Sequence, residues 1–277
     1  MYNINRRKFL GLFGCSCCSL ILPSCSTVPI TDRKQLSIIP EAKINSQAAA
    51  AYEQFRTKAK LIKSGPQLKE VIEIGKRIEV SVSSFFENKN EQDPTRNFGW
   101  DYLLVDNDKV ANAWCMPGGK IAFYSGILPV CKNDDGIAAV MGHEIAHAFA
   151  RHTVEKLTQS SMIQMATLGI SNSRYAELLN KSFKVGNVGG NVYNSVVKYG
   201  IFLPFSRTME SEADYLGMGF MNLAGFNIKE PSKLWERMMA NREGQVPEFM
   251  GSHPSPENRS KKFLEWENEI VDKFPRV

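Results

Sequence analysis

Residues 136–147 read Gly136-Ile137-Ala138-Ala139-Val140-Met141-Gly142-His143-Glu144-Ile145-Ala146-His147. The first half is apolar enough to bury a helix, and the second half is an HExxH. Residues four apart on an α-helix differ by about 400° in heading, so two such side chains project within about 40° of each other. His143 and His147 can therefore meet one metal ion, with Glu144 beside them to take a proton from a water. Asp134 or Asp135 is the expected N-cap, and helical character is expected to run to about Thr153.

A catalytic zinc takes three protein ligands and leaves one position open. With only four His in the chain, the third ligand can be sought by elimination. His152 follows His143 by about 900° of a continuous helix, and is expected on the opposite face as a surface or helix-terminal residue. Ala150 and Thr153 stand where the longer HExxHxxGxxH motif has its Gly and third His. A carboxylate is left. Met209-Glu210-Ser211-Glu212-Ala213-Asp214 offers Glu210 and Asp214 on one helix face, with Glu212 rotated about 200° from Glu210. One of the pair would ligate the metal while the other accepts a hydrogen bond from a ligating His. Leu203, Phe205, Leu216 and Met218 imply partial burial, which acids tolerate only with partners.

Outward from the motif, Trp100–Val105, Val110–Trp114 and Ile121–Tyr124 are short, aromatic and β-branched, separated by Asp106-Asn107-Asp108 and Pro117-Gly118-Gly119. A small antiparallel sheet is the simplest expectation. Helices are expected over about 41–62, after Gly65-Pro66, and at 209–223, 231–241 and 258–272. Residues 160–204 are rich in Ser, Asn and Gly and read as helices and a loop. The fold class expected is α+β, mostly helical. Composition agrees: 43% hydrophobic and 23% charged residues in 277 exclude collagen-like and broadly disordered chains.

Residues 1–25 pair Arg6-Arg7-Lys8 with an apolar stretch from Phe9 to Leu22, with no acidic residue before Asp32. This reads as an export signal over residues 1–24, similar to a twin-arginine signal, ending in a lipobox-like Leu22-Pro23-Ser24-Cys25. Cys25 would carry lipid, 25–40 would be a tether and 41–277 the working domain. Removing residues 1–24 leaves 31 basic against 29 acidic residues, a charge of +2 in place of +5, so the hint of a nucleic-acid partner disappears. Three of the six Cys leave with the signal; Cys115 and Cys131 would either pair or remain buried thiols.

Asn112-Ala113-Trp114 with Pro117-Gly118-Gly119, HExxH at 143–147, Ser206-Arg207 leading to ExxxD at 210–214, and Ser252-His253-Pro254-Ser255-Pro256 with Arg259 occur in that order. Together, from about Gln47 to Leu264, they resemble family 48 of the metallopeptidases, the gluzincins that include HtpX-like membrane proteases and prenyl-protein endopeptidases. The likeness is greatest to an exported, periplasmic lipoprotein branch. The resemblance implies a zincin-type domain with its sheet beside the HExxH helix, and one zinc per chain on His143, His147 and Glu210. Asp214 would be the acid behind a ligating His, and Arg259 would pair with an acid near the site. His253 would hold the oxyanion or cap the zinc at rest. Substrate would lie along Asn112, Ala113 and Trp114 by β-augmentation. Trp114 and Cys115 depart from the plainer apolar pair of the family, and the transmembrane helices of HtpX-like members are absent.

These features lead to an expected zinc endopeptidase acting on misfolded or unassembled envelope proteins, with Glu144 as general base. The expected location is the periplasm, lipid-anchored to the outer membrane of a Gram-negative bacterium. A second reading is a chaperone or assembly factor for outer-membrane proteins with gated proteolysis, in contact with the assembly machinery.

Overall fold

Residues 25–40 do not run as a loose tether. Strand β1 (Cys25–Thr27) pairs antiparallel with β2 (Lys34–Leu36), Cys25 opposite Leu36, and Val28 is fully buried against the domain. The computed structural model of the chain describes residues 25–168, 205–240, 248–253 and 258–276. The expected signal at 1–24, Pro254-Ser255-Pro256, and all of the 160–204 stretch beyond residue 168 lie outside them.

Helix α1 (Glu41–Lys58) is followed by α2 (Pro66–Asn88). Gly65 takes φ +121° and Pro66 opens the helix, where its missing N–H costs nothing. Val71, Ile74, Ile78, Val82 and Phe85 recur at three- and four-residue spacing and are buried as one stripe.

The sheet contains β3 (Asp101–Val105), β4 (Ala113–Met116) and β5 (Lys120–Tyr124) in the order β3-β5-β4. Gly118 and Gly119, at φ +79° and +77°, turn β4 tightly into its antiparallel partner β5. The β3–β5 pairing is parallel, unlike the antiparallel sheet expected. Between β3 and β5 the chain first lays down β4, so β5 re-enters beside β3 in the same direction. All four residues of β4 are buried. Ala113 and Cys115 face the main core, while Trp114 and Met116 face a second cluster with Ala48 and Tyr52 of α1.

Beyond α3 (Leu128–Cys131), Lys132 turns at φ +70° and Asn133 caps α4 (Asp134–Phe149), its side chain accepting from Gly136 N–H at 2.9 Å. The cap is thus Asn133, one residue before the two acids expected; Asp134 and Asp135 fill the first turn. Helix α4 is buried all round from Gly136 to Phe149. It stops where Arg151 takes φ +57°, and α5 (His152–Leu168) leaves in a new direction. Helices α6 (Arg207–Leu223), α7 (Glu230–Ala240), α8 (Glu248–Ser252) and α9 (Arg259–Lys273) complete the α+β domain. No helix among the described residues is long and apolar enough to cross a membrane.

Candidate metal centre

Two glycines bring the site together. A Cβ on Gly142 of α4 would fall 2.7 Å from Gly217 O, and one on Gly217 of α6 would fall 2.8 Å from Gly142 C and His143 N. Only without side chains at both positions can the backbones cross this closely. That crossing sets the HExxH beside the acids of α6, whose N-terminus is capped by Ser206 accepting from Met209 N–H at 3.3 Å.

His143, His147, Glu210 and His253 converge, all buried, with one ligand atom of each within 4.8 Å of the others. His143 Nε2 lies 3.0 Å from His147 Nε2, 3.2 Å from His253 Nδ1 and 3.4 Å from a Glu210 oxygen. Glu210 Oε1 is 3.5 Å from His147 Nε2 and 3.2 Å from His253 Nδ1. Four donors at about 2.0–2.1 Å from one zinc would stand about 3.3 Å apart. The observed separations fit that figure. The donors also lack other uses, since Glu210 Oε2 is buried without a hydrogen-bond partner. Facing ring nitrogens leave lone pairs that a cation satisfies.

The surrounding charges follow from these contacts. Burial alone would raise the Glu210 carboxyl, yet His253 and His143 hold it well below the usual carboxylate range. Burial opposes charge on His143, but hydrogen bonds to Asp214 and Glu210 outweigh it and carry its pKa up to about 9. Burial and the neighbouring imidazoles push His147 down. Asp214 Oδ1 lies 2.9 Å from His143 Nδ1, so the ring donates there and keeps Nε2 for the cluster. Arg259, at the start of α9, is paired with Asp214 and lies over the Trp235 ring at 4.0 Å.

Glu144 sits between this group and the sheet. Its Oε2 accepts the Cys115 N–H at 3.0 Å, while Oε1 makes no hydrogen bond and lies 3.3 Å from His253 Nε2. Burial lifts its pKa above the usual carboxylate range, against the pull of His253 and His143. The outer edge of β4 therefore faces the cluster. Ala111 C=O, just before the strand, accepts Phe249 N–H of α8 at 3.1 Å. The side chains of Asn112, Ala113 and Trp114 are buried, Asn112 C=O accepts Tyr124 N–H, and Ala113 N–H donates to Asn112 Oδ1. Trp114 packs edge-on against Phe55 and Tyr52 of α1 instead of shaping a groove.

Residue counting missed His152. It is fully buried, not a surface residue, and touches His147 and Glu212 at 2.8 Å each. The 900° argument assumed one helix, and the Arg151 turn ends it one residue too early. A non-glycine φ above zero leaves no clear mark in a sequence. Cys115 and Cys131 are both free and buried.

The model for Peptidase family M48 matches residues 76–267, more than half the chain. The chain belongs to peptidase family M48. M48 peptidases are zinc-dependent, and the four-donor cluster can hold one such ion. The M48 chain is 38% identical over 170 residues to the mitochondrial metalloendopeptidase OMA1 of Schizosaccharomyces pombe, covering 60% of this chain and 46% of that protein. It is 24% identical over 269 residues to the mitochondrial metalloendopeptidase OMA1 of Homo sapiens, covering 93% and 49%. It is 25% identical over 161 residues to the beta-barrel assembly-enhancing protease of Escherichia coli, covering 57% and 32%. The chain thus spans about half the length, or less, of these curated relatives.

The expected periplasmic, lipid-anchored location is overturned by these matches. The relatives of higher identity are mitochondrial metalloendopeptidases. The N-terminal reading could not separate the two, because basic residues, Ser and a lack of acids also characterise mitochondrial addresses.

Proposed function

We propose that this M48 chain is a zinc-dependent endopeptidase, resting in a capped state, that hydrolyses exposed segments of misfolded or unassembled proteins. The observation that carries the reading is the divided hydrogen bonding of Glu144. One of its oxygens is anchored by the Cys115 N–H, and the other is left without a hydrogen bond beside the donor cluster.

His143, His147 and Glu210 would hold the zinc, with Asp214 and Arg259 steadying His143. Zinc held there supplies Lewis acidity, bringing the pKa of a water towards about 7 and polarising a peptide carbonyl. Glu144, more basic than an ordinary carboxylate, takes the proton of the attacking water and returns it to the leaving amine. The main chain of Asn112, Ala113 and Trp114 receives the substrate as an added strand. His253, the fourth donor, must withdraw for water and substrate to enter, and can then turn to the oxyanion.

Glu144→Gln should keep one zinc per chain and lower peptide cleavage by about 10²–10⁴-fold. Undiminished cleavage by zinc-loaded Glu144→Gln would overturn the assignment. The closed donor set, together with the name of the Escherichia coli relative, favours a second reading as an assembly factor with gated proteolysis. Under that reading Glu144→Gln still suppresses aggregation of an unfolded test protein; under the first it does not.

A further inference from the structure

We propose that His152 and Glu212 are positioning residues for His147, and that Thr31 and Arg33 of the N-terminal hairpin hold this pair in place. The proposal rests on His143, His147 and Glu210 being the zinc donors, and extends that site to residues that helical spacing alone does not join.

Two hydrogen bonds fix where the protons of this chain sit. His152 Nε2 lies 2.8 Å from Glu212 Oε2, and His152 Nδ1 lies 2.8 Å from His147 Nδ1. A carboxylate only accepts, so His152 Nε2 carries a proton and donates it. A neutral His152 then presents a bare Nδ1, and one proton fits between the two facing Nδ1 atoms. That proton belongs to His147. With Nδ1 protonated, His147 keeps its Nε2 lone pair free, and Nε2 is the atom that faces the donor cluster. The chain Glu212–His152–His147 therefore selects the tautomer that can bind metal.

The two metal-facing imidazoles are thus served from one helix by different routes. Asp214 of α6 accepts directly from His143 Nδ1. Glu212, on the other side of α6, reaches His147 only through an interposed imidazole. Glu212 in turn accepts hydrogen bonds from Thr31 Oγ1 and from Arg33 Nε, the latter at 2.6 Å. Arg33 also places its two terminal nitrogens on Glu155, at 3.1 and 2.8 Å. Thr31 and Arg33 lie in the turn between β1 and β2, where Ile30 and Asp32 take φ +74° and +55°. A β-branched residue adopts that conformation only when its surroundings insist.

His152→Leu, His152→Gln, Glu212→Gln and Arg33→Met in the full chain test this, with zinc release to a competing chelator as the readout. His152→Leu should release zinc about 10–100-fold more readily than the natural chain. His152→Gln, which can still accept from His147 and donate to Glu212, should recover most of that loss. Glu212→Gln and Arg33→Met should fall between, with zinc release compared under conditions where circular dichroism shows each variant folded, since Arg33→Met also leaves Glu155 and Glu212 without their cation. Nitrogen NMR of zinc-loaded protein should find the His147 proton on Nδ1. If folded His152→Leu keeps zinc as firmly as the natural chain, or His152→Gln fails as badly as His152→Leu, the relay is wrong. If His152→Leu does not fold, Glu212→Gln decides by the same measurement. A natural chain that binds no zinc would instead refute the assignment of the donors themselves.

Discussion

At the scale of single residues, His253 is the most informative side chain. It supplies a fourth donor nitrogen at 3.2 Å from Glu210 and sets its other nitrogen 3.3 Å from Glu144. Phe249 stacks on its ring at 4.5 Å, so its position depends on α8. A donor that must leave before catalysis lowers activity by the fraction of time spent bound. His253→Ala should therefore keep one zinc per chain while raising kcat/KM for an unstructured peptide, measured alongside metal content. A fall of about 10²–10³-fold would show instead that oxyanion contact outweighs capping. The thiols of Cys115 and Cys131 give a second prediction. Burial pushes Cys131 up to about 12 and Cys115 well above its usual value, so little thiolate exists at pH 8. Alkylation followed by peptide mapping should label both only after denaturation, with or without prior reduction. Of the site, the HExxH and the Glu210/Asp214 pair were legible because helical spacing alone places them. His152 and Glu212 were not, since their meeting depends on a left-handed residue at Arg151 and on two helices crossing.

At the scale of elements, the α4–α6 crossing governs the site. The closest approach is Gly142 against Gly217, and the donors His143 and Glu210 lie one residue and two turns from it. Gly217→Ala would drive a methyl group into the backbone of Gly142 and His143, which cannot yield as a flexible side chain would. We expect a loss of about 1–3 kcal/mol in stability and weaker zinc retention, read from denaturant unfolding and metal titration. Gly251→Ala, with nothing within 4 Å of the added carbon, should leave unfolding almost unchanged and serves as the control. The helices themselves were largely legible: Gly65-Pro66 announced α2, and the apolar run from Ile137 announced α4. The parallel β3–β5 pairing was not. Strand order depends on how β5 returns past β4, and short alternating segments read alike in either direction. The hairpin at 25–36 was hidden for a related reason, since its Ser, Thr and Pro composition resembles a linker until Val28 and Arg33 find their partners.

At the scale of the molecule, the metal group is where separate parts of the chain are joined. It draws His143 and His147 from α4, Glu210 from α6 and His253 from the end of α8, with Arg259 of α9 and the hairpin's Arg33 attached through Asp214 and Glu212. Every donor is buried, so an empty centre leaves facing imidazole and carboxylate groups with one another as partners in place of a cation. Zinc should then stabilise the whole fold and not merely its chemistry. A ligand bound only by the folded chain, at 1,000 times its Kd, adds about 4 kcal/mol. For a domain of this size each kcal/mol moves Tm by about 2–4 °C, which gives a shift of about 8–16 °C. Chelation should lower Tm by that order in a calorimetric scan, and one equivalent of zinc should restore it. His253→Ala, which removes one donor of four, should show a smaller shift than the natural chain, while Glu144→Gln should show the same shift. A Tm indifferent to chelation in a chain known to have lost its zinc would mean that the converging segments hold together without the ion, through the glycine crossing and the Arg259–Asp214 and Arg33–Glu212 pairs alone.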